Sequence, residues 1–174
     1  MVRAARFTAL CALLLAALVL GGCGYKFTGS SISDEESVNV LPPQYRDLAI
    51  IRIENPTVEP WLEPRLRSLI RDEFTRRRLA NWVERSRAAA FVTVQIKQYT
   101  RSTALAGAQD QSLKLNAGMI WVVRIRRAGD NLLLWESGEM TQGESFYPGD
   151  ADGADMRLTD LAVRRVADLM TEGY

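Results

Sequence analysis

The chain is 174 residues long, carries 22 Lys and Arg against 21 Asp and Glu, and has no histidine. A formal net charge of +1 gives no overall pull toward nucleic acid or anionic lipid. Without histidine there is no Ser-His-Asp or Cys-His unit and no histidine ligand for zinc, and the chain has neither GxGxxG nor a P-loop; no enzyme activity, cofactor or resident metal is expected.

The first 22 residues read as a secretory signal. Arg3 and Arg6 make a short basic start, and Phe7 to Leu20 is an uncharged run of 14 residues rich in Leu and Ala. A spanning helix needs roughly 20 residues, so the run fits a cleaved signal better than a permanent transmembrane helix. Leu20-Gly21-Gly22-Cys23 has the form of a bacterial lipobox. Cleavage is expected between Gly22 and Cys23, with a diacylglycerol on the Cys23 sulfur and an acyl chain on the new amine. That covalent lipid is the one prosthetic attachment expected, and two or three chains on one residue hold a protein far more firmly than a single chain. Gly24 is not the Asp that retains enteric-type lipoproteins in the inner membrane, so it permits transfer to the outer membrane.

Removing Arg3, Arg6 and Cys11 with the signal leaves 152 residues, 20 of them basic and 21 acidic, and Cys23 as the one thiol. Residues 23–45 read as a lipidated arm: Gly29, Ser30, Ser31, Asp34-Glu35-Glu36 and Pro42-Pro43 leave little to bury. Residues 46–174 read as one α+β domain. Leu48 to Ile53 is a β-branched strand ended by Asn55-Pro56. Pro60 precedes a helix over about Trp61 to Arg78, with Trp61, Leu62, Leu66, Leu69, Ile70 and Phe74 at helical spacing. Phe91 to Tyr99 alternates as a half-buried strand. Arg101 to Lys114 reads as a polar loop and Leu115 to Arg126 as a long strand. Gly129-Asp130-Asn131 is a tight turn into a returning strand from Leu132 to about Thr141. Gln142 to Ala154 reads as loop, and Asp155 as the cap of a last helix through Met170, ended by Gly173. Asp150, Asp152 and Asp155 lack the glycine and terminal Glu of an EF-hand.

These elements predict a two-layer α+β sandwich in the order β-α-β-β-β-α: a four-stranded mixed sheet with two helices on one face. Trp61, Trp121 and Trp135 are expected in the core, with Trp82 at its rim. The strand around residue 121 is apolar on both faces, so Ile120 and Val122 are expected to point outward as candidate partner contacts. Arg101 and Lys114, at strand–loop junctions, are candidate cations for phosphates.

Cys23-Gly24-Tyr25-Lys26-Phe27-Thr28-Gly29, then Glu54-Asn55-Pro56-Thr57, Glu59-Pro60, and Leu133-Leu134-Trp135-Glu136 after a Gly-Asp turn, resemble the LptE family of lipopolysaccharide-assembly lipoproteins. The resemblance implies an outer-membrane lipoprotein on the periplasmic face, anchored through its lipid. Such a protein plugs the β-barrel protein LptD, assists its assembly and binds lipopolysaccharide on its way to the surface. It also implies a small sheet with two helices on one side. The alternatives are a lipoprotein that binds a lipid or glycan by itself, and an adaptor of another envelope complex.

Overall fold

The structure, a computed structural model, describes residues 39–108 and 112–172. The expected signal at 1–22, Cys23, residues 24–38 of the arm and Gly173 lie outside the described residues. Leu48, Ala49, Ile50 and Ile53 are buried along β1 (Asp47–Glu54), which stops where Asn55-Pro56 removes the next ladder donor. Helix α1 (Leu62–Arg76) places Leu62, Leu66, Ile70 and Phe74 four residues apart on one fully buried stripe. It ends two residues short of the expected Arg78 because Arg78 adopts a left-handed φ of 57°. The Leu79 N–H then donates to the Phe74 carbonyl at 2.8 Å and the Arg78 N–H to Thr75 at 3.0 Å. Those two bonds satisfy carbonyls that would otherwise be orphaned.

The sheet has six strands rather than four. After β2 (Asn81–Trp82) come β3 (Ala90–Ala106), β4 (Ser112–Arg127), β5 (Leu133–Glu136) and β6 (Met140–Phe146). Their order is β2-β1-β3-β4-β5, with β6 also on β4; β1 runs parallel to β2 and β3, and the other pairs are antiparallel. Two further expectations are corrected. The segment from Arg101 to Lys114 is not a loop: its residues pair in register (Arg101 with Ala117, Leu105 with Lys114), which leaves only 107–111 between the strands. The returning strand is two strands, and the second runs on to Phe146 through residues read as loop.

Helix α2 (Ala151–Thr171) begins with Asp150 at its cap position, so Asp155 lies inside the helix and does not cap it. Both helices share one core with the β4 residues Ala117, Met119, Trp121, Val123 and Ile125. The two-layer α+β architecture therefore holds. Trp121 is fully buried, and Trp61 and Trp135 pack partly buried against the core. Trp82 is also half-buried, stacks on Phe74 at 6.1 Å, and donates its Nε1–H to the Arg71 carbonyl.

The ends of the two helices are tied through a buried carboxylate. Glu73, 6% exposed, accepts from Arg76 and from Arg77 Nε (2.6 Å), and Arg77 also reaches Asp168 of α2. Burial alone raises the Glu73 carboxyl; the guanidiniums of Arg76 and Arg77 outweigh it and hold the group below its ordinary value. A carboxyl depressed on folding adds stability above its unfolded pKa and loses it as pH falls through the folded one. Glu73→Gln is therefore expected to cost about 1 kcal/mol near neutrality, discounted because Arg76 is largely exposed. The difference from the parent should shrink below about pH 4. Urea denaturation at pH 7 and pH 3 measures this; a gap that widened in acid would contradict it.

Candidate functional site

The β3–β4 hairpin outgrows the rest of the sheet. β1 stops pairing with β3 at Gln95, and β6 stops pairing with β4 at Leu115. Beyond those points the hairpin is two strands alone, with Leu105 and Leu113 exposed. Its root is clamped to α2. Asp155, 7% exposed, accepts from the Tyr99 hydroxyl on one oxygen and from Arg101 on the other. Arg101 Nε also donates to the Tyr99 oxygen at 3.1 Å, and its guanidinium lies 5.6 Å from the Tyr99 ring centre. The Trp61 ring meets Tyr99 edge-on at 5.8 Å. Burial, and next the Asp155 carboxylate, push the Tyr99 phenol well above its usual range. The hydrogen bond to the same carboxylate raises Arg101 above its ordinary value.

The network continues into α1. The Asp155 carbonyl accepts from the fully buried Thr159 hydroxyl at 2.7 Å. Thr159 Oγ1 accepts from Arg65 Nε at 2.7 Å, and Arg65 also reaches Asp160 at 3.2 Å. One chain of polar contacts thus joins hairpin, α2 and α1. Alongside it, the loop after β1 braces itself: Thr57 donates both its N–H (3.2 Å) and its hydroxyl (2.6 Å) to Asn55 Oδ1, and Trp61 Nε1 donates to Glu59 at 2.7 Å. Three shallow depressions of about 780, 550 and 410 Å³ run around this loop and share its residues. Glu54, Gln95 and Lys97 line the first two, and Trp61, Met156 and Asp152 the third. This is a broad mixed polar and apolar surface suited to a large partner, not a closed pocket for a small molecule. Among the described residues no three Asp, Glu or Cys side chains converge as a metal site.

The sequence-predicted residues are not brought together. Arg101 lies on the helix side of the hairpin and is bound to Asp155. Lys114 lies on the opposite side, half-buried, as the alternation from the buried Ala117 requires. Ile120 is half-buried on that same side. Val122 points away from both helices but is only 2% exposed, so its own chain covers it. Its outward direction is as expected, but 2% exposure leaves Val122 little surface for a partner. Cys23 lies outside the described residues. Local spacing does not reveal Tyr99, Asp155, Thr159 and Arg65 as a cluster, because the contacts that join its elements span 56 residues (Tyr99 to Asp155) and 94 residues (Arg65 to Thr159).

A family model described as LptE, lipopolysaccharide-assembly, matches residues 45–172. No curated protein matches the sequence. Among solved structures, a variant of the PelC dodecamer from Paraburkholderia phytofirmans is similar at TM-score 0.51 and 13% identity, covering 74% of this chain and 91% of that one. A DUF330 protein from Xanthomonas campestris is similar at TM-score 0.50 and 11% identity, covering 77% and 91%. The rare lipoprotein B from Shewanella oneidensis gives TM-score 0.42 at 13% identity over 68% and 92%. At these identities the first two likenesses speak for the fold alone.

Proposed function

The chain belongs to the LptE family of lipopolysaccharide-assembly proteins, and from that premise we propose that it is a lipid-anchored outer-membrane lipoprotein, on the periplasmic face, that binds an LptD-like β-barrel and assists lipopolysaccharide insertion. The observation that carries this reading is the extent of the family match: residues 45–172 include both helices and all six strands. The role is one of binding and assembly and involves no bond-making step.

The projecting hairpin and the surface at its root supply the partner contact, with Ile120 at the edge of that region. For lipopolysaccharide phosphates the two candidate cations now differ. Arg101 is committed to Asp155, whereas Lys114 has no ion-pair partner among the described residues, so Lys114 is the better donor. No described helix is long and apolar enough to cross a membrane, and residence falls to the lipid on Cys23. A lipoprotein binding a lipid or glycan by itself would call for a closed apolar cavity; the depressions found are open and of mixed polarity.

Tagged protein extracted in mild detergent is expected to bring down one large β-barrel protein in roughly equimolar amount, read by mass spectrometry. Recovery of a periplasmic or inner-membrane complex instead would favour the adaptor reading, and recovery of no membrane protein would refute the barrel partnership.

A further inference from the structure

We propose that the face of the sheet away from the helices, at the end where β3 begins and β4 ends, is a docking surface for the anionic phospholipid headgroups of a membrane. Phe91, the second residue of β3, lies on the side away from the helices and stands directly across from Arg126. The Arg85 guanidinium lies 5.7 Å from the Phe91 ring centre. Arg87 is exposed in the same 3-10 turn as Arg85. Arg126 donates to a neutral group, the Asn131 carbonyl, at 3.1 Å. None of these three arginines has a carboxylate partner among the described residues. Their neighbours differ: Arg124 is neutralised by Glu136 at 2.6 Å and Arg127 by Asp130 at 2.5 Å. Glu84, exposed beside Arg85, offsets only part of the excess.

Next to the cations stand two exposed leucines. Leu132 is 52% and Leu133 41% exposed, and Leu133 is in register with Arg126. Guanidiniums on apolar stems beside exposed leucines match the headgroup layer, where the cations meet phosphates and the leucines reach the acyl boundary. An acidic soluble partner would account for the arginines and leave the leucines in water.

Where the chain continues also favours a membrane. This choice of occupant rests on the lipid anchor at Cys23 proposed above. The described chain starts at this same end: the Val40 N–H donates to the Met170 carbonyl at 2.9 Å, and the Tyr45 hydroxyl accepts from Arg127 at 3.2 Å. Cys23 precedes Asn39 by 16 residues, which reach at most about 55 Å when extended. The lipid surface is therefore within range of this end, and the tether is long enough for the domain to leave that surface for a partner.

The test is co-sedimentation of the mature chain carrying Cys23→Ala, which removes the proposed lipid anchor. The probe is vesicles of phosphatidylcholine with or without 30% phosphatidylglycerol. Binding is expected only with phosphatidylglycerol. Each arginine contributes about fivefold, so Arg85→Gln, Arg87→Gln and Arg126→Gln together should lower it at least tenfold. Leu132→Ser with Leu133→Ser should lower it severalfold, and circular dichroism should show both variants folded. Triple-variant binding equal to the parent, or equal binding to both vesicle types, overturns the proposal. Displacement by millimolar inorganic phosphate would also overturn it, in favour of a free-phosphate site. Labelled fatty acid on the unsubstituted chain is read separately: if it is absent while vesicle binding behaves as described, the anchor reading fails and the docking surface stands.

Discussion

Cys23→Ala is expected to abolish incorporation of labelled fatty acid and to move the protein out of the membrane fraction. On the lipobox reading the sulfur is the attachment point, and the other cysteine, Cys11, lies in the signal proposed to be removed, so the loss should be complete. The energetic gap is wide. Each buried methylene contributes about 0.8 kcal/mol, so two or three acyl chains make dissociation very slow. What remains without them is a patch of cations worth about 1 kcal/mol each near an anionic surface. Salt of a few tenths molar should release that residue of binding and leave the lipidated protein in place. Recovery of the proposed barrel partner should fall as well, because on this reading the lipid confines the domain to the neighbourhood of that partner and so raises its effective concentration. Labelled fatty acid persisting on the variant would refute the lipobox reading outright.

The sequence carried the core well and the hairpin badly, and both follow from what periodicity measures. Leu62, Leu66, Ile70 and Phe74 face one core, so burial imposes a helical spacing that can be counted. Val92, Val94 and Ile96 do the same at period two. From Arg101 to Ala106 both faces of β3 meet solvent, so no alternation is required and Ser-Thr-Ala-Leu-Ala reads as loop. Backbone pairing to β4 forms the strand there, and side-chain patterning does not report backbone pairing. Bulges between Ile96 and Gln98 and between Thr103 and Leu105 disturb the register further. The late loop was misread for a related reason: β6 carries Thr, Gln, Gly, Glu and Ser, and only its ends, Met140 and Phe146, are buried. Val122 shows a further limit. Its outward direction was legible from alternation, but its burial depends on neighbours that no local window contains. Arg101 was singled out as a cation for phosphate, yet its partner Asp155 lies 54 residues away and looked like a helix cap.

That pairing makes Asp155→Ala the most informative change within the described fold. Asp155 is nearly buried, and both its carboxylate oxygens are engaged. Its removal deletes two charge-assisted bonds and leaves the half-buried Tyr99 hydroxyl without its acceptor. Breaking a fully buried pair costs about 3–5 kcal/mol. Arg101 is about one-third exposed and can turn to water, and alanine is the better helix former by up to about 0.7 kcal/mol. The net expectation is a loss of about 2 kcal/mol, read as a lowered urea midpoint. A second signature separates a clamp from a generic core defect. The hairpin root has no neighbouring strand beyond Gln95 on one side, so losing its tie to α2 should speed amide exchange in 97–106 more than in β1. Tyr99→Phe and Arg101→Gln should each cost about 1 kcal/mol, and less in combination than their sum, because they share one acceptor. If Asp155→Ala kept parental stability and parental exchange in the hairpin, the cluster would be incidental to its position. If exchange rose while recovery of the barrel held, the hairpin would bend freely without being the partner contact. If both changed together, the clamp that aims the hairpin would be part of how the domain engages its barrel.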